Sequence, residues 1–143
     1  MEELRVCVIG CGQLGQVHAR NWPHVPNARV VAVADPWEER ARALGEELGC
    51  PWFASAEGAL GVAGVNAASV AVPSAFHRQC TVAALEAGCH VLCEKPIALS
   101  LDDGRAMIRL AQQRGLTLAF GFCKRFMGQV QTVAPTPDAV AAQ

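Results

Sequence analysis

Gly10, Gly12 and Gly15 stand at the spacing G-x-G-x-x-G, and an acid, Asp35, follows about 20 residues after the last of them. Glycines so placed suit a pyrophosphate. Gly10 turns the chain sharply out of a strand, Gly12 lets the backbone approach a phosphate, and Gly15 lets the next helix lie close on the sheet. Any side chain at Gly12 would stand where the phosphate goes. Gln13 and Leu14 open that helix, whose first N–H groups are unpaired and whose dipole is positive there, so an anion is favoured. Asp35 has two uses. It closes the run Ala28-Arg29-Val30-Val31-Ala32-Val33-Ala34, which reads as a buried parallel strand, so its carboxylate can accept from an adenosine ribose and repel a 2′-phosphate. It also begins Asp35-Pro36-Trp37-Glu38, a pattern that caps a helix. The distance from Gly15 favours the ribose, and with it NAD over NADP.

Elements must hold these groups, and the chain of 143 residues is about one domain long. Its net charge of −1 and the lack of any basic stripe disfavour nucleic acid and anionic membranes as partners. The start, Met1-Glu2-Glu3, is acidic where a secretory signal is basic, and no apolar stretch approaches the roughly 20 residues of a membrane span. A cytoplasmic protein is expected. Seven cysteines, at 7, 11, 50, 80, 89, 93 and 123, form no C-x-x-C pair, so reduced thiols are expected. Cys89 and Cys93 share strand parity, yet no second pair completes a metal site, and core packing is the better reading.

The patterning alternates strand and helix. Residues 4–9 are an apolar strand, 12–22 a helix, and 28–34 the strand ending at Asp35. A helix over 37–48 stops at Gly49, a short strand spans 51–53, and 57–64 is weakly helical. An apolar strand over 66–72 ends at Pro73-Ser74, where Ser74 starts a helix with Gly88 at its stop. A strand over 89–93 follows, then a helix signed by Ser100-Leu101-Asp102-Asp103 and Gly115, then a strand over 116–122. Such alternation implies an α/β fold, a doubly wound parallel sheet with helices on both faces. Gly10, Asp35, Pro73, Ser74, Glu94, Lys95 and Phe122 should then converge over the carboxyl ends of the strands.

At Glu94-Lys95-Pro96 the chain acquires a family likeness. Together with residues 10–18, Val72-Pro73-Ser74-Ala75-Phe76-His77 and Ala87-Gly88-Cys89-His90-Val91-Leu92, this element resembles the nucleotide-binding domain of the Gfo/Idh/MocA oxidoreductases, over residues 5–126. The resemblance implies a Rossmann-type NAD(P)-binding domain over residues 1–126 and a dehydrogenase of sugars, inositols or related polyols. It implies that Lys95 is the catalytic lysine, that Glu94 orients it, and that the bond before Pro96 is cis. An amine there can hydrogen-bond the reacting hydroxyl and help remove its proton as hydride leaves. His77 is implied to hold local backbone or border the cofactor cleft, and His18 to buttress the phosphate loop.

Family members continue after the position of Arg125-Phe126 into a substantial C-terminal α/β domain. Here residues 127–143 carry two prolines and little amphipathic pattern, and read as a tail or truncated linker. The chain is either a fragment or a shortened member. Two functions compete: the cofactor half of an NAD-dependent oxidoreductase, weakly active alone, or a non-catalytic NAD-binding module or sensor that has lost its substrate domain. In either case strand ends near Phe120, Phe122 and Phe126, uncovered by a second domain, predict a homo-oligomer.

Overall fold

Strands Leu4–Ile9 (β1) and Ala28–Ala34 (β2) bury their last four residues completely, with no polar alternation, because the sheet is covered on both faces. The computed structural model describes residues 3–122. Its other strands are Trp52–Phe53 (β3), Ala67–Val70 (β4), His90–Cys93 (β5) and Leu118–Phe120 (β6). All pair in parallel, in the order β3-β2-β1-β4-β5-β6. The order reverses between β1 and β4, so the loops leaving those two strands part and leave a crevice.

Period-two alternation divides the core. Val6 and Val8 of β1 pack with Ala19 of helix Gln13–Asn21 (α1) and with Ala41 and Leu44 of helix Glu38–Leu48 (α2). Cys7 and Ile9 face the other way. There they meet Ala59 of helix Ala56–Leu60 (α3), Ala84 and Leu85 of helix His77–Glu86 (α4), and Ala111 of helix Leu101–Arg114 (α5). The best-signed helix starts as read: Ser100 Oγ accepts from the Asp103 N–H at 3.1 Å, and Gly115 ends α5 at φ +64°.

Two helix starts differ from the sequence reading. Ser74 caps nothing with its side chain; a 3-10 turn over Ser74–Phe76 intervenes and α4 begins at His77. Pro73 is extended at ψ 145°, and the turn is closed by the Phe76 N–H, which donates to the Pro73 carbonyl at 2.8 Å. Similarly, Trp37 and not Asp35 is the N-cap of α2, and the Asp35 carboxylate accepts from the Trp37 N–H ahead of the helix. Ser55, not singled out in the sequence, caps α3 through the Gly58 N–H.

Cys7, Cys11, Cys89 and Cys93 are buried. Desolvation pushes the Cys11 thiol up to about 12, with the nearby Asp35 charge adding to it, and pushes Cys80 up to about 11. These are protonated, hydrophobic fillers at neutral pH. Among the described residues no three His, Cys, Asp or Glu side chains gather as a metal site, and no helix is long and apolar enough to cross a membrane. Cys123, Phe126 and the tail read over 127–143 lie outside the described residues.

Candidate functional site

The three glycines of the first turn do different work. Gly10 has φ +94°, and a Cβ there would stand 2.6 Å from the Ala71 carbonyl oxygen at the exit of β4. At Gly15 a Cβ would fall 1.7 Å from the Gly10 carbonyl oxygen, so α1 rests directly on the turn. Both positions are closed by protein backbone. A Cβ on Gly12 meets nothing within 4 Å. Gly12 is the N-cap of α1 and carries no side-chain acceptor, so the first N–H groups of the helix face open space. That space is the mouth of a cavity of about 760 Å³, which runs from Gly12, Gln13 and Leu14 past Asp35 and Trp37 to Pro73 and Phe76. Its size suits an extended cofactor. An uncapped helix start, a residue with no Cβ and a nearby carboxylate fit a pyrophosphate with an attached ribose.

Asp35 is 8 % exposed, and both its oxygens are already engaged. Oδ2 accepts from the Cys11 N–H and Oδ1 from the Trp37 N–H, each at 2.8 Å. The carboxylate therefore ties the phosphate turn to the start of α2. Each oxygen keeps a second lone pair for a ligand hydroxyl, so the helix-fastening and ribose roles are compatible. Beside it the Arg40 guanidinium lies 4.0 Å from the centre of the Trp37 ring, and both residues line the cavity. Sequence reasoning passed over Trp37, Arg40 and Phe76 as ordinary helix residues. The available signal was one large aromatic two residues beyond the ribose acid.

A second group of residues lies at the end of β5. The Lys95–Pro96 bond is cis, and Lys95 itself is exposed. Glu94 is 9 % exposed: its Oε1 meets His18 Nε2 at 2.9 Å and its Oε2 accepts from the Lys95 N–H at 3.1 Å. His18 Nδ1 lies 2.8 Å from Ser69 Oγ on β4. His77 is buried, with Nδ1 2.7 Å from the Pro96 carbonyl and Nε2 3.0 Å from the Val72 carbonyl. A neutral imidazole has one N–H and satisfies one of these carbonyls at a time; only the doubly protonated ring donates to both.

The structure thus sorts the sequence-predicted residues. Gly10, Gly12, Gln13, Leu14, Asp35 and Pro73 line the cavity. Gly15, Ser74, His77, Glu94 and Lys95 do not. Gly15 is a packing contact, His77 pins two loops together, and Glu94 holds the lysine's backbone from behind. His18, expected at the phosphate loop, directs its ring to Ser69 and Glu94.

Comparison with known proteins places this arrangement in company. The family described as "Oxidoreductase family, NAD-binding Rossmann fold" matches residues 4–122. UDP-N-acetylglucosamine 3-dehydrogenase of Acidithiobacillus ferrooxidans is 37 % identical, over 92 % of this chain and 41 % of its own length. Scyllo-inositol 2-dehydrogenase (NAD(+)) of Bacillus subtilis is 33 % identical, over 87 % and 37 %. Among solved structures, scyllo-inositol dehydrogenase from Lactobacillus casei with bound NAD(H) and scyllo-inositol superposes with a TM-score of 0.84 at 27 % identity, over 92 % of this chain and 40 % of that one. The chain spans about two fifths of the length of these relatives.

Proposed function

The chain belongs to the Gfo/Idh/MocA family of oxidoreductases and carries its NAD-binding Rossmann domain, and on that footing we propose that it is the cofactor half of an NAD-dependent dehydrogenase of sugars, inositols or related polyols. The observation that carries the reading is the open space at Gly12, set at an uncapped helix start beside Asp35. NAD, when bound, supplies the hydride acceptor. The backbone of residues 12–14 holds the pyrophosphate, and Asp35 takes the ribose and disfavours a 2′-phosphate. Lys95, exposed at the end of β5, would hydrogen-bond the reacting hydroxyl, and in its neutral amine form would take the hydroxyl proton as the C–H bond breaks, its electron pair leaving with the hydrogen as hydride to bound NAD while the C=O bond forms. The reading as a non-catalytic NAD-binding module shares the cavity but gives Lys95 no work.

Calorimetric titration with NAD and NADP tests the cofactor assignment. NAD is expected to bind at least tenfold more tightly; equal or tighter binding of NADP would sink it. Turnover of polyols by this chain is expected to be poor, because Lys95 stands outside the cavity lining and a lysine alone lacks the positioning that contributes several kcal/mol to barrier lowering. Any activity present should fall at least about 100-fold in Lys95→Ala, in the range set by loss of general acid–base catalysis.

We place the chain in the cytoplasm, a reading supported by the free cysteines among the described residues. We propose that it self-associates through β6, an edge strand among the described residues. Light scattering across a concentration series should show a mass above that of one chain; a monomer at every concentration removes this part of the proposal.

A further inference from the structure

Lys95 sits between two histidine-held neighbours, and one of those attachments runs back to the helix that faces the phosphate site. His18 lies on α1, six residues beyond Gly12. Its Nε2 meets Glu94 Oε1 at 2.9 Å and its Nδ1 meets Ser69 Oγ at 2.8 Å. A carboxylate only accepts, so the proton on Nε2 is donated to Glu94, and the serine hydroxyl completes the other side. The remaining Glu94 oxygen accepts from the Lys95 N–H at 3.1 Å. Glu94 has little freedom to swing. Its own N–H donates to the Val70 carbonyl at 3.0 Å, and a Cβ on Gly121, just beyond β6, would stand 2.9 Å from Oε1.

Burying a carboxylate and an imidazole beneath the sheet is weak evidence for stability, since their desolvation offsets most of the attraction. Placement is what the arrangement supplies. We infer that His18 is a positioning residue for Lys95: acting through the Glu94 carboxylate, it fixes the backbone of the lysine relative to α1, the helix whose start faces the phosphate site. The inference rests on Lys95 being the reacting lysine of the proposed function. Its immediate content, that His18 sets the hydrogen bond of the Lys95 N–H, can be read with no cofactor present.

Amide hydrogen exchange at Lys95 in the full chain, resolved by NMR, provides the test. Glutamine places a donor near the position of Nε2, and asparagine near that of Nδ1. His18→Gln should therefore keep the Lys95 amide within threefold of the unmodified protein, while His18→Asn should speed its exchange at least tenfold. A histidine that merely filled space would treat the two replacements alike. Thermal unfolding identifies variants that fold; should His18→Asn not fold, His18→Phe fills the same volume without a donor and should show the same acceleration. Equal exchange in the glutamine variant and in a folded asparagine or phenylalanine variant overturns the inference. Titration of the same proteins with NAD separates the two readings. Failure of the unmodified chain to bind NAD would remove the cofactor reading, and with it the functional meaning of the link, while the exchange rates would still report whether the link exists.

Discussion

Gly12→Val should leave the chain folded and weaken NAD binding at least about 100-fold, whereas Gly15→Ala, a smaller change three residues away, should cost more than about 3 kcal/mol of stability. The contrast follows from what each new Cβ meets. At Gly12 it meets nothing within 4 Å, and the residue lies in extended geometry at φ −72°, which a branched side chain adopts. The valine would project into the cavity mouth and exclude a phosphate from the first N–H groups of α1. At Gly15 the methyl would fall 1.7 Å from the Gly10 carbonyl oxygen, itself fixed because Gly10 closes against Ala71. Alanine is ordinarily worth up to about 1 kcal/mol over glycine inside a helix. A backbone clash that can be relieved only by lifting α1 off the sheet outweighs it. Thermal unfolding and NAD titration on both variants check this: a Gly12→Val protein with unchanged NAD affinity removes the phosphate site from this turn, and a Gly15→Ala protein that melts with the parent refutes the packing role.

This division of labour marks what the sequence could and could not tell. Gly10, Gly12, Gly15 and Asp35 are recognisable because local spacing alone carries their meaning, and strand and helix alternation implies the doubly wound parallel sheet whose strand ends bring them together. Lys95 is different, since only the resemblance of Glu94-Lys95-Pro96 gave it a role. The partners of the histidines were not legible. His18 reaches Ser69 and Glu94 across 51 and 76 residues of chain, and His77 pins Pro96 from 19 residues away. No local pattern encodes such a contact. Trp37 was hidden for another reason: an aromatic at the start of a helix has no local signal of its own, and only the course of the cavity shows that it lines the candidate site. The shift of α4's start from Ser74 to His77 comes from an intervening 3-10 turn, which local cap chemistry does not announce.

Asp35→Ala should reverse the balance between NAD and NADP, and the size of the reversal decides what the carboxylate is for. Removing it deprives the Cys11 and Trp37 N–H groups of their acceptors, and the former is buried, so stability should fall by about 1–3 kcal/mol. That loss acts on any ligand that needs the turn and would weaken NAD and NADP alike. A ribose role adds a difference between them. Hydrogen bonds from ribose hydroxyls to a carboxylate are worth about 1.5–3 kcal/mol, so NAD should lose a further factor on the order of 10 to 100. A 2′-phosphate loses a repulsion instead, about 4 kcal/mol per pair of unit charges 4 Å apart at an effective dielectric of 20. It also finds a cation: Arg40, stacked on Trp37, stands on the same cavity wall. The NADP-to-NAD affinity ratio should therefore rise at least about 100-fold in Asp35→Ala, and much of that gain should vanish in Asp35→Ala/Arg40→Ala. Titration of both nucleotides into the three proteins gives the ratio directly. If NAD and NADP fall together and the ratio stays put, Asp35 serves only to fasten the turn to α2, and cofactor choice in this protein lies elsewhere.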